Sequence, residues 1–179
     1  MRSKNNIAYI DGANLHKGTM SLGWDLDYKR FRVWLSDKLG IATAYLFLGL
    51  IHKNKKLYTY LQEAGFILVF KETICDDKGK PKGNCDAALV LNCVSDFYEK
   101  KYKEAVIVSS DGDYSELVEF LKKKSSFHAL VSPSNKCSYL LRKQNVRLFY
   151  LDSLKKKVER LAKKEKAPSK DGTLKGSLS

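Results

Sequence analysis

An α/β fold, built as a three-layer α/β/α sandwich around a mainly parallel central sheet, is what this sequence predicts. Three observations lead there. Short apolar runs rich in β-branched and aromatic residues alternate with stretches whose apolar residues recur at helical spacing. Most of these runs lack a clean in–out alternation, as strands do when both sheet faces are covered. Aspartates stand where the runs end: Asp11 closes the run at 7–10, and Asp111 and Asp113 follow the run at 105–108 across Ser109 and Ser110.

Strands are expected at 7–10, 42–48, 66–70, 105–109, 128–132 and 146–150. Between them, 28–39 places Phe31, Leu35 and Leu39 on one helical face, and 56–64 carries Leu57, Tyr60, Leu61 and Ala64. Residues 86–100 carry Leu89, Val90, Cys93, Val94 and Phe97, 114–124 carry Leu117, Val118 and Leu121, and the short 135–143 carries Tyr139 and Leu140. A last helix is expected at 154–166, basic except for Leu154, Val158 and Leu161. After Ala167 and Pro168 the chain is rich in Ser, Gly and Lys, a composition that predicts flexibility. The 179 residues, 44% of them hydrophobic, fit one folded domain with a full-sized core. Its expected bounds are 1–152, with a basic helix and flexible C-terminal tail over 153–179.

Net charge is +13, from 33 Lys+Arg against 20 Asp+Glu, and favours a polyanionic partner. About half of the excess sits between Lys155 and Lys170, so the remainder belongs to the body. Cys75, Cys85, Cys93 and Cys137 form no CxxC pair and no zinc-like spacing. That cysteine usage, and an N-terminus that leads straight into a strand, predict a cytoplasmic protein. No run approaches the roughly 18 apolar residues of a spanning helix, so no membrane partner is expected.

The chemistry is carried by acids. In a parallel sheet, ligands bind beyond the carboxyl ends of the strands. Carboxylates gathered there repel one another unless a cation lies between them, and oxygen-only ligands suit Mg²⁺ or Mn²⁺. Asp11 leads into Gly12, Ala13 and Asn14, where Asn14 can orient Asp11 or bind metal-held water. Asp111 and Asp113 flank Gly112, and Ser110 offers a hydroxyl to a phosphate. Asp86 opens the longest helical pattern, on the side of Leu89 and Cys93. Each has an ordinary reading too: Asp11, Asp86 and Asp113 are all residue types that cap helices, and Asn14 suits a turn.

The stretches YIDGANL (9–15), KGNCDAAL (82–89) and VIVSSDGDY (106–114), in this order, resemble the NYN domain family, which includes the LabA-like (DUF88) proteins within the PIN-like ribonuclease superfamily. The resemblance covers about residues 7–150. It implies a PIN-like fold and metal-dependent RNA cleavage, with Asp11, Asp86, Asp111 and Asp113 as the acidic Mg or Mn ligands and catalytic residues, supported by Asn14 and Ser110. One departure stands out. Many relatives carry a second Asp six residues after the equivalent of Asp86; here that position is Asn92, with Asp96 one turn further as a substitute.

Lysines complete the picture. Lys53, Lys55 and Lys56 follow the second strand, and Lys78, Lys80 and Lys82 crowd the loop entering Asp86. All are expected at the acids' edge of the sheet, where they can bind phosphates or be merely solvated. Trp24 and Tyr28 are candidates for base stacking, whereas Trp34 reads as core. The expected partner is RNA, with single-stranded DNA and a homodimer also open. The competing readings are a catalytically weakened nucleic-acid-binding module and a Mg²⁺-dependent phosphatase or phosphotransferase. The last lacks support, since position 13 is Ala rather than the second Asp of a DxD nucleophile, and no phosphate-binding loop ending in GK[ST] is present.

Overall fold

The computed structural model describes residues 5–71, 74–75, 81–82 and 85–161. Six parallel strands form its centre: β1 (Asn6–Asp11), β2 (Ile41–Gly49), β3 (Ile67–Lys71), β6 (Ala105–Val108), β7 (Phe127–Ser132) and β8 (Leu148–Tyr150), in the spatial order β3-β2-β1-β6-β7-β8. Two-residue strands β4 (Ile74–Cys75) and β5 (Pro81–Lys82) form a separate antiparallel pair in the stretch read as a loop. All six expected strands are present, each within two residues of its expected start.

The helices are α1 (Gly12–Met20), α2 (Tyr28–Leu39), α3 (Lys55–Glu63), α4 (Asp86–Tyr98), α5 (Ser115–Lys123), α6 (Tyr139–Arg142) and α7 (Lys155–Val158). They divide between the two faces of the sheet because strand residues alternate sides. Ala8 and Ile10 of β1 pack with Phe31, Leu35 and Leu39 of α2, Leu61 of α3 and Val158 of α7. Ile7 and Tyr9 pack with Leu89 and Cys93 of α4, Leu117 and Leu121 of α5 and Leu141 of α6. Two buried cores therefore sandwich the sheet, and the alternation is hidden in the sequence because both sides are apolar.

Strand order reverses between β1 and β6. The connections through α2 and α3 carry the chain outward to β3; α4 returns it across β1 to β6, after which α5 and α6 carry it outward the other way. In open sheets the crevice at such a reversal is where ligands bind. Asp11 ends one of the two strands at this point, and Asp111 follows the other.

Two elements differ from expectation. No helix is expected over 12–20, where Asn14 suits a turn, yet these residues form α1. Gly12 and Gly18 weaken the helical signal, and Gly12 is required by packing: a Cβ there would stand 2.6 Å from the Phe47 carbonyl oxygen. The last helix ends at Val158 rather than continuing through 161. Glu159 turns extended because the segment pairs with the loop before α2, the Asp27 N–H donating to the Val158 carbonyl and the Arg160 N–H to that of Asp25, both at 2.8 Å. Arg30 adds a hydrogen bond to the Glu159 carbonyl at 2.7 Å. The rest of the expected basic helix and tail, from 162 on, lies outside the described residues. Cys85, Cys93 and Cys137 are free thiols, and no helix among the described residues is long and apolar enough to cross a membrane.

Asp96, buried on α4, accepts hydrogen bonds from the Tyr9 hydroxyl at 2.8 Å and from Lys101 at 2.9 Å. Asp96→Ala leaves that buried hydroxyl without its acceptor, a loss of about 1–3 kcal/mol. Urea unfolding of the variant against wild type measures it, and an unchanged midpoint would show the bond to be dispensable.

Candidate metal centre at the strand-order reversal

Three carboxylates converge above the reversal. One oxygen from each of Asp86, Asp111 and Asp113 lies within 4.8 Å of the others. Asp86 arrives on the first turn of α4, half-buried; Asp111 and Asp113 arrive on the tight turn between β6 and α5. That turn is held closed from two sides. The Asp111 carboxylate accepts the Asp113 N–H at 3.1 Å, and the start of α6 packs so close that a Cβ on Gly112 would lie 2.5 Å from the Ser138 hydroxyl. No lysine, arginine or histidine among the described residues forms an ion pair with Asp111 or Asp113. Three all-oxygen donors gathered this closely fit a hard divalent cation.

Asp11 stands just beneath this group, and it does two jobs. Its Oδ1 accepts the Asn14 N–H at 2.9 Å, capping α1; its Oδ2 faces the hydroxyls of Ser109 and Tyr114, each at 3.4 Å. Asp11 thus caps α1 while lying beside the acidic group. Burial pushes the Asp11 carboxyl above its usual range, opposed by the Asn14 N–H and reinforced by the charge of Asp86. The link to Asp86 is Tyr114, a fully buried residue whose hydroxyl donates to Asp86 Oδ1 at 2.5 Å. Burial first, and the two carboxylates after it, hold the proton on that hydroxyl.

Asn14 and Ser110 bond to each other. The Asn14 Oδ1 accepts both the N–H and the hydroxyl of Ser110, each at 2.9 Å, tying α1 to the end of β6. The Ser110 hydroxyl is therefore engaged in positioning the turn. Asn92 folds its amide back onto the Ala88 carbonyl at 2.8 Å, and Asp96 lies ten residues from Asp86, about 15 Å along the helix, committed to Tyr9 and Lys101. Lys53, Lys55 and Lys56 are exposed on the segment that follows β2, at the same sheet edge as Asp11. Lys78 and Lys80 lie outside the described residues, as does the side chain of Lys82, whose backbone forms β5. Trp24, half-buried, donates its indole N–H to Asp152 at 3.3 Å, and Tyr28 packs edge-on against Tyr60 and Phe66. Trp34 is buried.

Two participants escaped the sequence reading. Tyr114 was legible only as the first apolar residue of α5's stripe; its spacing to Leu117 and Leu121 puts it inward, and its place beside Asp113 puts its hydroxyl at the site. Lys71, at the end of β3, is close enough to Cys85 to pull that thiol's pKa down while burial, Asp11 and Asp86 push it up.

The model of the NYN domain matches residues 6–152. The chain belongs to the NYN domain family. It is similar to the Low amplitude and bright protein LabA of Synechococcus elongatus, 23% identical over 167 residues that cover 88% of this chain and 89% of the relative. In three dimensions it resembles a Vibrio parahaemolyticus protein of unknown function, solved as a crystal structure, with a TM-score of 0.72 at 20% identity, covering 89% of this chain and 99% of the other. At that identity the likeness establishes the fold. The NYN chain thus carries a PIN-like, nuclease-family fold with an acidic cluster at its strand-order reversal.

Because Asp11 binds its proton more tightly folded than unfolded, the metal-free protein loses stability as pH rises from the ordinary carboxylate value through the raised folded one. Asp11→Asn is therefore expected to be more stable than wild type in EDTA at neutral pH, with the difference vanishing at acid pH. Urea midpoints across that range check it, and a variant less stable at neutral pH contradicts the assignment.

Proposed function

We propose that this NYN protein is a metal-dependent endoribonuclease that hydrolyses RNA phosphodiester bonds. The observation that carries the reading is the three-carboxylate group of Asp86, Asp111 and Asp113 at the strand-order reversal, with Asp11 linked to it through Tyr114. These residues would hold Mg²⁺ or Mn²⁺. Such an ion supplies Lewis-acid chemistry: it makes water a nucleophile at neutral pH and offsets charge on the leaving oxygen.

The protein's own contribution is placement. Asp111 and Asp113 are fixed by the closed turn, Asp86 by the first turn of α4, and Asp11 by its cap to α1. Tyr114, which stays protonated, keeps Asp86 turned toward the group before any ligand arrives. Lys53, Lys55 and Lys56 attract the phosphate backbone to that edge, an effect that weakens with salt. RNA is the substrate class favoured by the family, with single-stranded DNA as a second possibility.

A second reading is favoured by one observation. Asn92 stands where many relatives have an acid, and its amide is turned onto its own helix. A protein with this substitution can bind nucleic acid at the same edge and cut it weakly.

With a labelled single-stranded RNA and Mn²⁺, wild type is expected to cut, EDTA to stop cutting, and Asp11→Asn and Asp111→Asn each to reduce it to background. If all three proteins shift the RNA and none cuts it, the binding reading replaces the nuclease reading, and Asn92→Asp is the variant expected to gain activity.

A further inference from the structure

Positive charge gathers where α2 and α7 meet. Residues 28–39 and 155–160, which form α2 and the α7 segment beside it, hold eight Lys and Arg against two acids, Asp37 and Glu159. On α5, across the sheet, Glu116 and Glu119 are instead mixed with Lys122 and Lys123. Between α2 and α7 lies an open cleft of about 510 Å³. Trp34, buried, and Val33, exposed, supply its apolar lining. Lys29, Lys38 and Lys157, all exposed, line it together with Arg30, and Asp37 is the one acid beside them. Arg30 also braces the cleft. Its guanidinium donates to the carbonyls of Glu159 at 2.7 Å and Lys156 at 3.2 Å, which fixes the two walls against each other. A concave surface dominated by one sign of charge focuses the field and draws in counter-charge.

The charges continue beyond the cleft. The Lys29 Nζ and the Arg160 guanidinium each lie 5.8 Å from the centre of the Tyr60 ring on α3. Lys56, exposed, stands four residues before Tyr60 and so on the same side of that helix. It belongs in turn to the basic segment after β2, at the sheet edge of Asp11. A line of cations thus leads from that edge, past Tyr60, into the cleft, where Lys29 and Lys38 stand about 13.5 Å apart along α2. A small anion needs one knot of donors; cations spaced along a track suit a chain whose charge repeats, and apolar surface among them suits the face of a base. The chain's own C-terminal segment does not fit, because 162–179 carries five Lys against two acids and is repelled. We propose that the α2–α7 cleft is a second binding site for single-stranded RNA, which holds phosphates on Lys29, Lys38 and Lys157 and a base against Val33 and Trp34. The inference rests on the nucleic-acid part of the functional reading and not on cutting, because none of the acidic group lines the cleft.

Fluorescence anisotropy of a labelled single-stranded RNA with the full chain tests it, in EDTA so that nothing is cut. Wild type is expected to bind, with an affinity that falls as salt rises. Combining Lys29→Ala, Lys38→Ala and Lys157→Ala weakens binding by about tenfold or more and lowers the slope of log affinity against log salt by about two. Combining Lys103→Ala, Lys123→Ala and Lys124→Ala removes the same charge from exposed positions on the α5 side and leaves both nearly unchanged. Equal weakening by the two triple variants overturns the proposal, since net charge alone then accounts for binding. A cleft variant that binds like wild type overturns it too. Poly-glutamate that displaces the RNA as well as unlabelled RNA of equal charge points to an acidic peptide instead and also overturns it. A wild type that binds RNA here but does not cut it with Mn²⁺ removes the nuclease reading and leaves the cleft standing; a wild type that binds no RNA overturns the cleft. The substituted lysines are exposed, so the fold is expected to be retained, and circular dichroism of each variant checks it.

Discussion

A buried carboxylate at the meeting of β1 and β6 is the constraint on which the rest of the site depends. Asp11 is almost wholly removed from water, and burial disfavours its charge. The surroundings answer with hydrogen bonds: the first turn of α1, Ser109 at the end of β6 and Tyr114 at the head of α5 all turn polar atoms toward it. Those contacts fix the positions of three elements relative to β1, and through the Tyr114 hydroxyl they reach a fourth, α4, at Asp86. The acidic group above is thus assembled on rigid supports. A fold that stabilises itself by packing alone would place an apolar residue at such a position, so a buried carboxylate there marks a candidate functional site.

Much of this was legible in the sequence, and the rest was hidden for identifiable reasons. The six strands declared themselves as apolar runs because a parallel sheet is covered on both faces, and the acids declared themselves by standing at strand and helix ends. Helix α1 did not, because Gly12 and Gly18 are there to let the helix approach Phe47 and Pro133 closely, and those glycines erase the helical signature. The early end of α7 was equally hidden: it follows from backbone bonds between residues more than a hundred positions apart. Tyr114 looked like one more core aromatic, since periodicity says which way a ring points and nothing about what its hydroxyl meets. Asp96 shows the converse. Its sequence neighbours Glu99 and Lys100 suggest a solvated face, yet the side chain is buried and bonded to Tyr9 on the central strand.

Helix α4 links these themes. One side of it builds the core, its first residue enters the acidic group, and its outward side is apolar and charge-free. Asn92 lies between these surfaces, half-buried and bonded to its own helix.

The central claim is that Asp86, Asp111 and Asp113 are gathered to hold a divalent cation. Titration of the protein with Mn²⁺, followed by the loss of the free-ion electron paramagnetic resonance signal, tests it without reference to any substrate. The account predicts that wild type takes up Mn²⁺ and that Asp111→Asn, folded as judged by circular dichroism, binds it far more weakly. A wild type that leaves the Mn²⁺ signal unchanged, or an Asp111→Asn variant that binds as tightly as wild type, would contradict it.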